Sequence, residues 1–283
     1  MALAIGSFVP PAFGQALLPH TLQVDPVQME KTGISVAEEA LQLARFRQYE
    51  LAIPRAELAT QLAPQSYQTW ALLGTLYIET KEVEKGISAL QKARQLNPKE
   101  ATILFSLGSA RFQQENYSAA IEELQAGLDL KPNVPGALFD LGNAYYKLNQ
   151  YQQAVANYEK AFAAEKNFWP AINNIGLVKY ENGDIEGAIQ RWETAVSIDS
   201  KAAEPMLALG VAFYTRGEKE KGLATAQAAL KIDVRYADVE FLKENLWGTR
   251  LLADTQTLLQ TPQIQATLSQ QNTQQNPQPN QRQ

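Results

Sequence analysis

Apolar residues in this chain recur with two periods, one nested inside the other. Over short windows they return every three or four residues, which gathers them on one face of a helix. Over longer stretches the whole pattern returns every 34 residues. Five glycines mark it: Gly74, Gly108, Gly142, Gly176 and Gly210. With each glycine at position 8, full repeats cover 67–100, 101–134, 135–168, 169–202 and 203–236. Position 4 then holds Trp70, Leu104, Leu138, Ile172 and Met206, and position 7 holds Leu73, Leu107, Leu141, Ile175 and Leu209. Positions 4, 7 and 11 share one helical face. Small residues at 8, 20 and 27 allow a first helix, A, and a second, B, to approach closely. Larger apolar residues at position 24 (Leu90, Leu124, Tyr158, Trp192) are expected to fill the space between neighbouring units. A unit of this kind cannot bury its apolar face alone and must stack on its neighbours.

The columns resemble the consensus of the tetratricopeptide repeat family, departing at position 11 where Arg111 and Lys179 replace an apolar residue. There an aliphatic stem is expected to pack while its charge reaches water. The resemblance implies an all-α fold, a right-handed α-solenoid of stacked helix–turn–helix units with a C-terminal capping helix. Extending the phase backward gives a degenerate first repeat at 33–66, in which Glu39 takes an apolar slot and Pro54 should kink or shorten helix B. Pro135, Pro170 and Pro205 suit helix starts, and Gly183 and Gly217 suit A–B turns that need positive φ.

Outside the repeats the pattern changes. Residues 237–260 read as one amphipathic helix, with Val239, Leu242, Leu246, Leu251 and Leu252 against the end of the stack. It is either a plain cap or a docking or membrane-surface helix presenting Phe241–Leu242 and Leu246–Trp247. Residues 261–283, rich in Gln, Asn and Pro, are expected to be disordered. Residues 1–19 are uncharged up to Leu18 and carry a small-x-small pattern at Gly14–Gln15–Ala16, with a linker at 20–32. They are either an export or anchor segment lacking a basic start, or a disordered apolar leader. The first alternative places the protein at a membrane or on the thylakoid or periplasmic side; the second leaves it cytoplasmic.

Composition narrows the chemistry. With 25 basic and 30 acidic residues the net charge is −5, and no basic stripe follows the repeat, which argues against nucleic acid. Cysteine is absent and the single histidine is His20. No nucleophilic triad, thiolate metal site or phosphate loop can be assembled from the repeats. We therefore expect no catalytic residues, no metal and no cofactor.

The resemblance implies that positions 2, 5, 9, 12 and 13 of helix A line a concave groove. This assigns Phe105, Ser109, Phe112, Phe139, Asn143, Tyr146, Asn173, Tyr180 and Tyr214 to it, with Asn174 beside Asn173. Aromatics give large contact area at low entropic cost, and carboxamides can pair with an extended backbone. The expected partner is an apolar or mixed segment of a client protein. The alternative for the aromatics of position 12 is packing inside their own repeat. Chaperone-binding members hold a C-terminal carboxylate with Lys, Asn and Arg. Here Asn143 and Asn174 fit, but Phe139, Glu204 and Ala208 fill the cationic slots, so a chaperone tail is not the expected ligand. The segment Phe241–Trp247 and the Gln-rich end also resemble cyanobacterial thylakoid-associated tetratricopeptide proteins. That implies a partner in pigment synthesis or photosystem biogenesis, such as protochlorophyllide oxidoreductase. A structural or targeting subunit, engaging through the leader and residues 237–260, is the alternative function.

Overall fold

A computed structural model describes residues 25–275. The expected leader 1–19 lies outside the described residues. Twelve helices form six antiparallel pairs: α1 (Pro26–Arg45) with α2 (Tyr49–Leu62), α3 (Tyr67–Glu79) with α4 (Val83–Leu96), and α5 (Ala101–Gln113) with α6 (Tyr117–Leu130). They continue with α7 (Pro135–Lys147) and α8 (Tyr151–Ala164), α9 (Trp169–Glu181) and α10 (Ile185–Ile198), and α11 (Ala203–Thr215) and α12 (Lys219–Ile232). The architecture is an all-α solenoid. From α1 to α7 consecutive A helices touch one another, which puts them on the inner side of the curve.

The comb of glycines works inside each repeat. A Cβ at Gly142 would come within 2.5 Å of the Tyr158 ring, and one at Gly176 would overlap Trp192 Nε1. Gly74 and Gly108 meet Leu90 and Leu124 in the same way. The large residue of position 24 thus packs into the notch left by the glycine of its own repeat, and not chiefly between units as its size suggested. The A–B turn needs a left-handed residue at position 15 in every repeat. Gly183 and Gly217 supply it without a side chain, while Arg47, Lys81, Glu115 and Asn149 adopt φ of 57–64°.

Four expectations change. Helix α1 starts at Pro26, inside the stretch read as linker, because the Asp25 carboxylate accepts from Val27 N at 3.0 Å and Pro26 is preset for a first turn. Pro54 sits inside a full-length α2 with its ring facing solvent. Residues 237–260 are not one helix. A 3₁₀ turn at Val234–Ala237 leads into α13 (Val239–Glu244), the chain reverses at Leu246 (φ 66°), and α14 (Thr249–Leu259) follows.

The end of the stack is closed instead by α15 (Pro262–Gln275), formed from residues read as a disordered tail. Ile264 and Thr267 are buried there. Gln227 Nε2 donates to Thr267 Oγ1 at 2.8 Å and Gln271 Nε2 to Leu230 O at 2.9 Å. Low-complexity composition hid a short apolar pattern that α12 completes. Residues 276–283 lie outside the described residues.

Candidate functional site

The A helices carry a polar ladder along the inner wall. Ser109 Oγ donates to Asp140 Oδ2 at 3.0 Å, from position 9 of one repeat to position 6 of the next. One repeat further on, Asn174 Nδ2 donates to Asn143 Oδ1 at 3.0 Å by the same geometry. Tyr158 Oη also donates to Asn143 Oδ1 (2.9 Å), and Asn173 Nδ2 to Asn174 Oδ1 (3.2 Å). The three asparagines do gather, but they spend their hydrogen bonds on one another. Burial pushes the Asp140 carboxyl up to about 6, a rise the Ser109 hydroxyl partly offsets.

The aromatics turn mostly into the repeats. Phe112 packs edge-on against Tyr117 at 5.2 Å, and Tyr146 lies tilted against Tyr151 at 5.7 Å, each onto the start of its own helix B. Phe139 lies between Tyr158 and Phe168. Phe105 covers Gly127, where a Cβ would meet its ring at 2.5 Å. Tyr214 is half-buried under Lys219. These contacts belong to the within-repeat alternative, with Phe105 and Phe139 presenting only part of their surface.

The C-terminal half of the inner wall is already occupied. Helix α14 lies against α9 and α11, and α13 packs on it. Beneath this strap Leu177, Leu207 and Val211 are buried, at positions 9, 5 and 9 of their repeats. Tyr180 is fully buried, and its hydroxyl donates to Asp254 Oδ2 at 2.6 Å; burial, then Asp254, raise its pKa. Gly248 has no side chain to cap α14, so Glu181 does so from α9. It accepts from Arg250 N at 3.1 Å and Leu251 N at 2.9 Å. Trp247 is buried, its Nε1 donating to Glu204 Oε1 at 3.1 Å. Enclosure pushes the Glu204 carboxyl up to about 7, against the pull of Trp247 and Asn173.

So Tyr180, Asn173 and Asn174, assigned to an open groove, are closed off in this structure, and Tyr146 is nearly so. The physical reason is the strap. The Leu246–Trp247 pair of the docking-helix alternative also faces inward. Seven large apolar groups of α13, α14 and the turn between them (Leu242, Leu246, Trp247, Leu251, Leu252, Leu258, Leu259) are buried or partly so. At roughly 2 kcal/mol for each one fully buried, they anchor the strap on the wall.

The inner wall from α1 to α7 stays open. Ile34 is 42% exposed and Leu41 41%, both at groove positions of the first repeat. Ala71, Thr75, Phe105 and Ser109 continue the surface, half-buried. Asp140 and Glu181 are neighbours of the wall that the sequence reading passed over, and it named Glu204 only as the residue in a cationic slot. Their signal was an acid in an apolar helical run, as in Ala203–Phe213, which only a buried partner makes tolerable. Among the described residues no three acidic, histidine or cysteine side chains group as a metal site would require, and no helix is long and apolar enough to cross a membrane.

A solenoid of helix pairs with a partly open inner wall defines the class: an α-helical repeat protein built around an extended groove. Family models identify the repeats. One described as "TPR repeat" matches residues 108–149 and 176–217, and one described as "Tetratricopeptide repeat" matches 135–168. These matches place tetratricopeptide repeats between residues 108 and 217 of the chain. A model described as "ChAPs (Chs5p-Arf1p-binding proteins)" matches residues 28–104. No curated protein matches the sequence. Among solved structures, a crystal structure of MamA is 25% identical with a TM-score of 0.52, covering 58% of this chain and 96% of its own. The Pseudomonas aeruginosa pilF structure is 18% identical with a TM-score of 0.64, covering 77% and 99%. YrrB, described as a TPR protein with an unusual peptide-binding site, is 19% identical with a TM-score of 0.50, covering 68% and 97%.

Proposed function

We propose that this protein is a non-enzymatic scaffold that holds an apolar or mixed segment of a client protein on the inner wall of its N-terminal repeats. The observation that carries this reading is the contrast along one surface. Groove positions are mostly buried beneath the chain's own strap at α9 and α11, whereas at α1, α3 and α5 they are half-buried or exposed, Ile78 excepted. Tetratricopeptide repeats mediate protein–protein contact through such walls, and YrrB, of the same fold, is described as having a peptide-binding site.

Photo-crosslinking from native membranes tests it. A photoreactive residue at Thr75 should capture one dominant client, and one at Ser88, exposed on α4, should not. Leu41→Asp should abolish the Thr75 crosslink while the helical content is kept. Equal capture from both faces would sink the reading. Phe105→Ala with Phe139→Ala is a poorer test, because both rings pack inside the fold.

The finer reading is an assembly factor in photosynthetic membranes or pigment synthesis, located at the thylakoid or on an exported side. Its support is the Phe241–Trp247 segment and the Gln-rich end, which resemble proteins of the kind exemplified by Pitt. Identification of the crosslinked client tests that too. The alternative of a membrane-associated structural or targeting subunit now rests on the leader, since Leu246 and Trp247 are turned inward. Loss of membrane flotation on deleting residues 1–19 would favour it.

A further inference from the structure

Two rim cavities of the stack are lined from corresponding positions of different repeats, and the strap closes one of them. At the rim of the wall, beside an A–B turn, Tyr146, Lys147, Asn149, Tyr151 and Glu181 line a cavity of about 360 Å³. The strap closes it with the turn at Leu246–Thr249 and with Leu252. Two repeats earlier, Ile78, Glu79, Lys81, Val83 and Gln113 line a cavity of about 400 Å³ between α3 and α5. The five positions correspond one for one: 12, 13, 15 and 17 of one repeat and 13 of the next.

The strap-closed cradle shows what this geometry accepts. It takes the first turn of a helix, whose free N–H groups go to the carboxylate at position 13, while Leu246, Trp247 and Leu252 of the strap wall the space beside it. In the open cradle Gln113 stands where Glu181 does, with a carbonyl oxygen that can accept a backbone N–H. Glu79 replaces Lys147 and puts a negative charge where the positive end of a helix would sit. Ile78 and Val83 replace Tyr146 and Tyr151, so the floor is aliphatic and leaves room for a larger anchor. Among the described residues, Glu79, Lys81 and Gln113 make no side-chain hydrogen bond or ion pair with one another or with the rest of the chain.

We infer that the cradle between α3 and α5 docks the N-terminal turn of an amphipathic helix of a partner protein, anchored by a Leu or Trp side chain on Ile78 and Val83. The inference rests on the open inner wall being the client surface, and it names the client's form. The occupant is a partner with the pattern of the strap, since the chain's own strap is held two repeats away.

The probe is a synthetic peptide of residues 238–259, fluorescently labelled and titrated into the full-length protein. Saturable binding is expected. Gln113→Lys should weaken it at least tenfold, because a cation there opposes the helix dipole, and Val83→Asp should do the same through the floor. Unfolding midpoints of both variants confirm that the fold is kept. A benzophenone at the peptide's first residue should crosslink to α3 or α5. Absence of binding, binding indifferent to Gln113→Lys, or crosslinks confined to α9 and α11 would each overturn the inference. The third result would mean exchange with the resident strap. If Thr75 still captures a client while the peptide does not bind, the scaffold stands and the cradle assignment alone fails.

Discussion

Glu204→Gln should make the protein more stable at pH 8 and leave it nearly unchanged in acid. Glu204 sits fully enclosed in α11 beneath the strap, where Trp247 donates to it, and Tyr236 is the other titratable group in its field. Burial raises its pKa from 4.5 to about 7. The folded protein therefore keeps the proton after the unfolded chain has lost it. The stability this confers is complete below pH 4.5, is lost progressively as pH rises towards 7, and is absent above. At about 1.4 kcal/mol per pH unit the loss is roughly 3 kcal/mol. Glutamine does not titrate. Its carbonyl oxygen still accepts from Trp247, and its amide can donate to Asn173 Oδ1, which is buried without a donor. Urea unfolding of both proteins at pH 5, 6, 7 and 8 gives the difference, from which the titration of Asp140 cancels. The variant should gain roughly 3 kcal/mol between pH 4.5 and 8, most of it below pH 7. A difference independent of pH, or a less stable variant at pH 8, would refute the reasoning.

The backbone gives a sharper set of tests. Gly136→Ala and Gly217→Ala both add a methyl where nothing lies within 4 Å. The first is in a helix and should stabilise by roughly 0.5–1 kcal/mol, and the second, at φ 101°, should cost about 1 kcal/mol, both read from thermal unfolding. Gly176→Ala forces its methyl onto the fully buried Trp192, whose Nε1 holds Asn173 O, and should cost about 1–3 kcal/mol. Glu181→Ala removes the cap of α14 and should cost about 1 kcal/mol, with hydrogen exchange rising first at Arg250 and Leu251.

The repeat was legible because its cause is local. A helix pair needs an apolar stripe, a small residue where the helices cross and a turn that breaks them, and each leaves a mark at a fixed spacing. Those marks placed α3 to α12 in register from Gly74, Gly108, Gly142, Gly176 and Gly210. The inner-wall positions, and with them the cluster of Asn143, Asn173 and Asn174, came from the resemblance to the repeat family. It did not say whether that wall was free. Helix α11 is apolar nearly all round, which is a sign in the sequence that something covers it.

The sequence by itself determined the period, the pairing of helices and the face each helix turns inward, because these follow from spacing along a single segment. The tertiary structure alone decided that Leu242 to Leu259 returns to fill half of the wall, that Gln-rich residues close the end of the stack, and that Glu204 is held near neutrality. Each of those depends on contacts between segments whose separation in sequence follows no repeat, and no local pattern encodes such a contact.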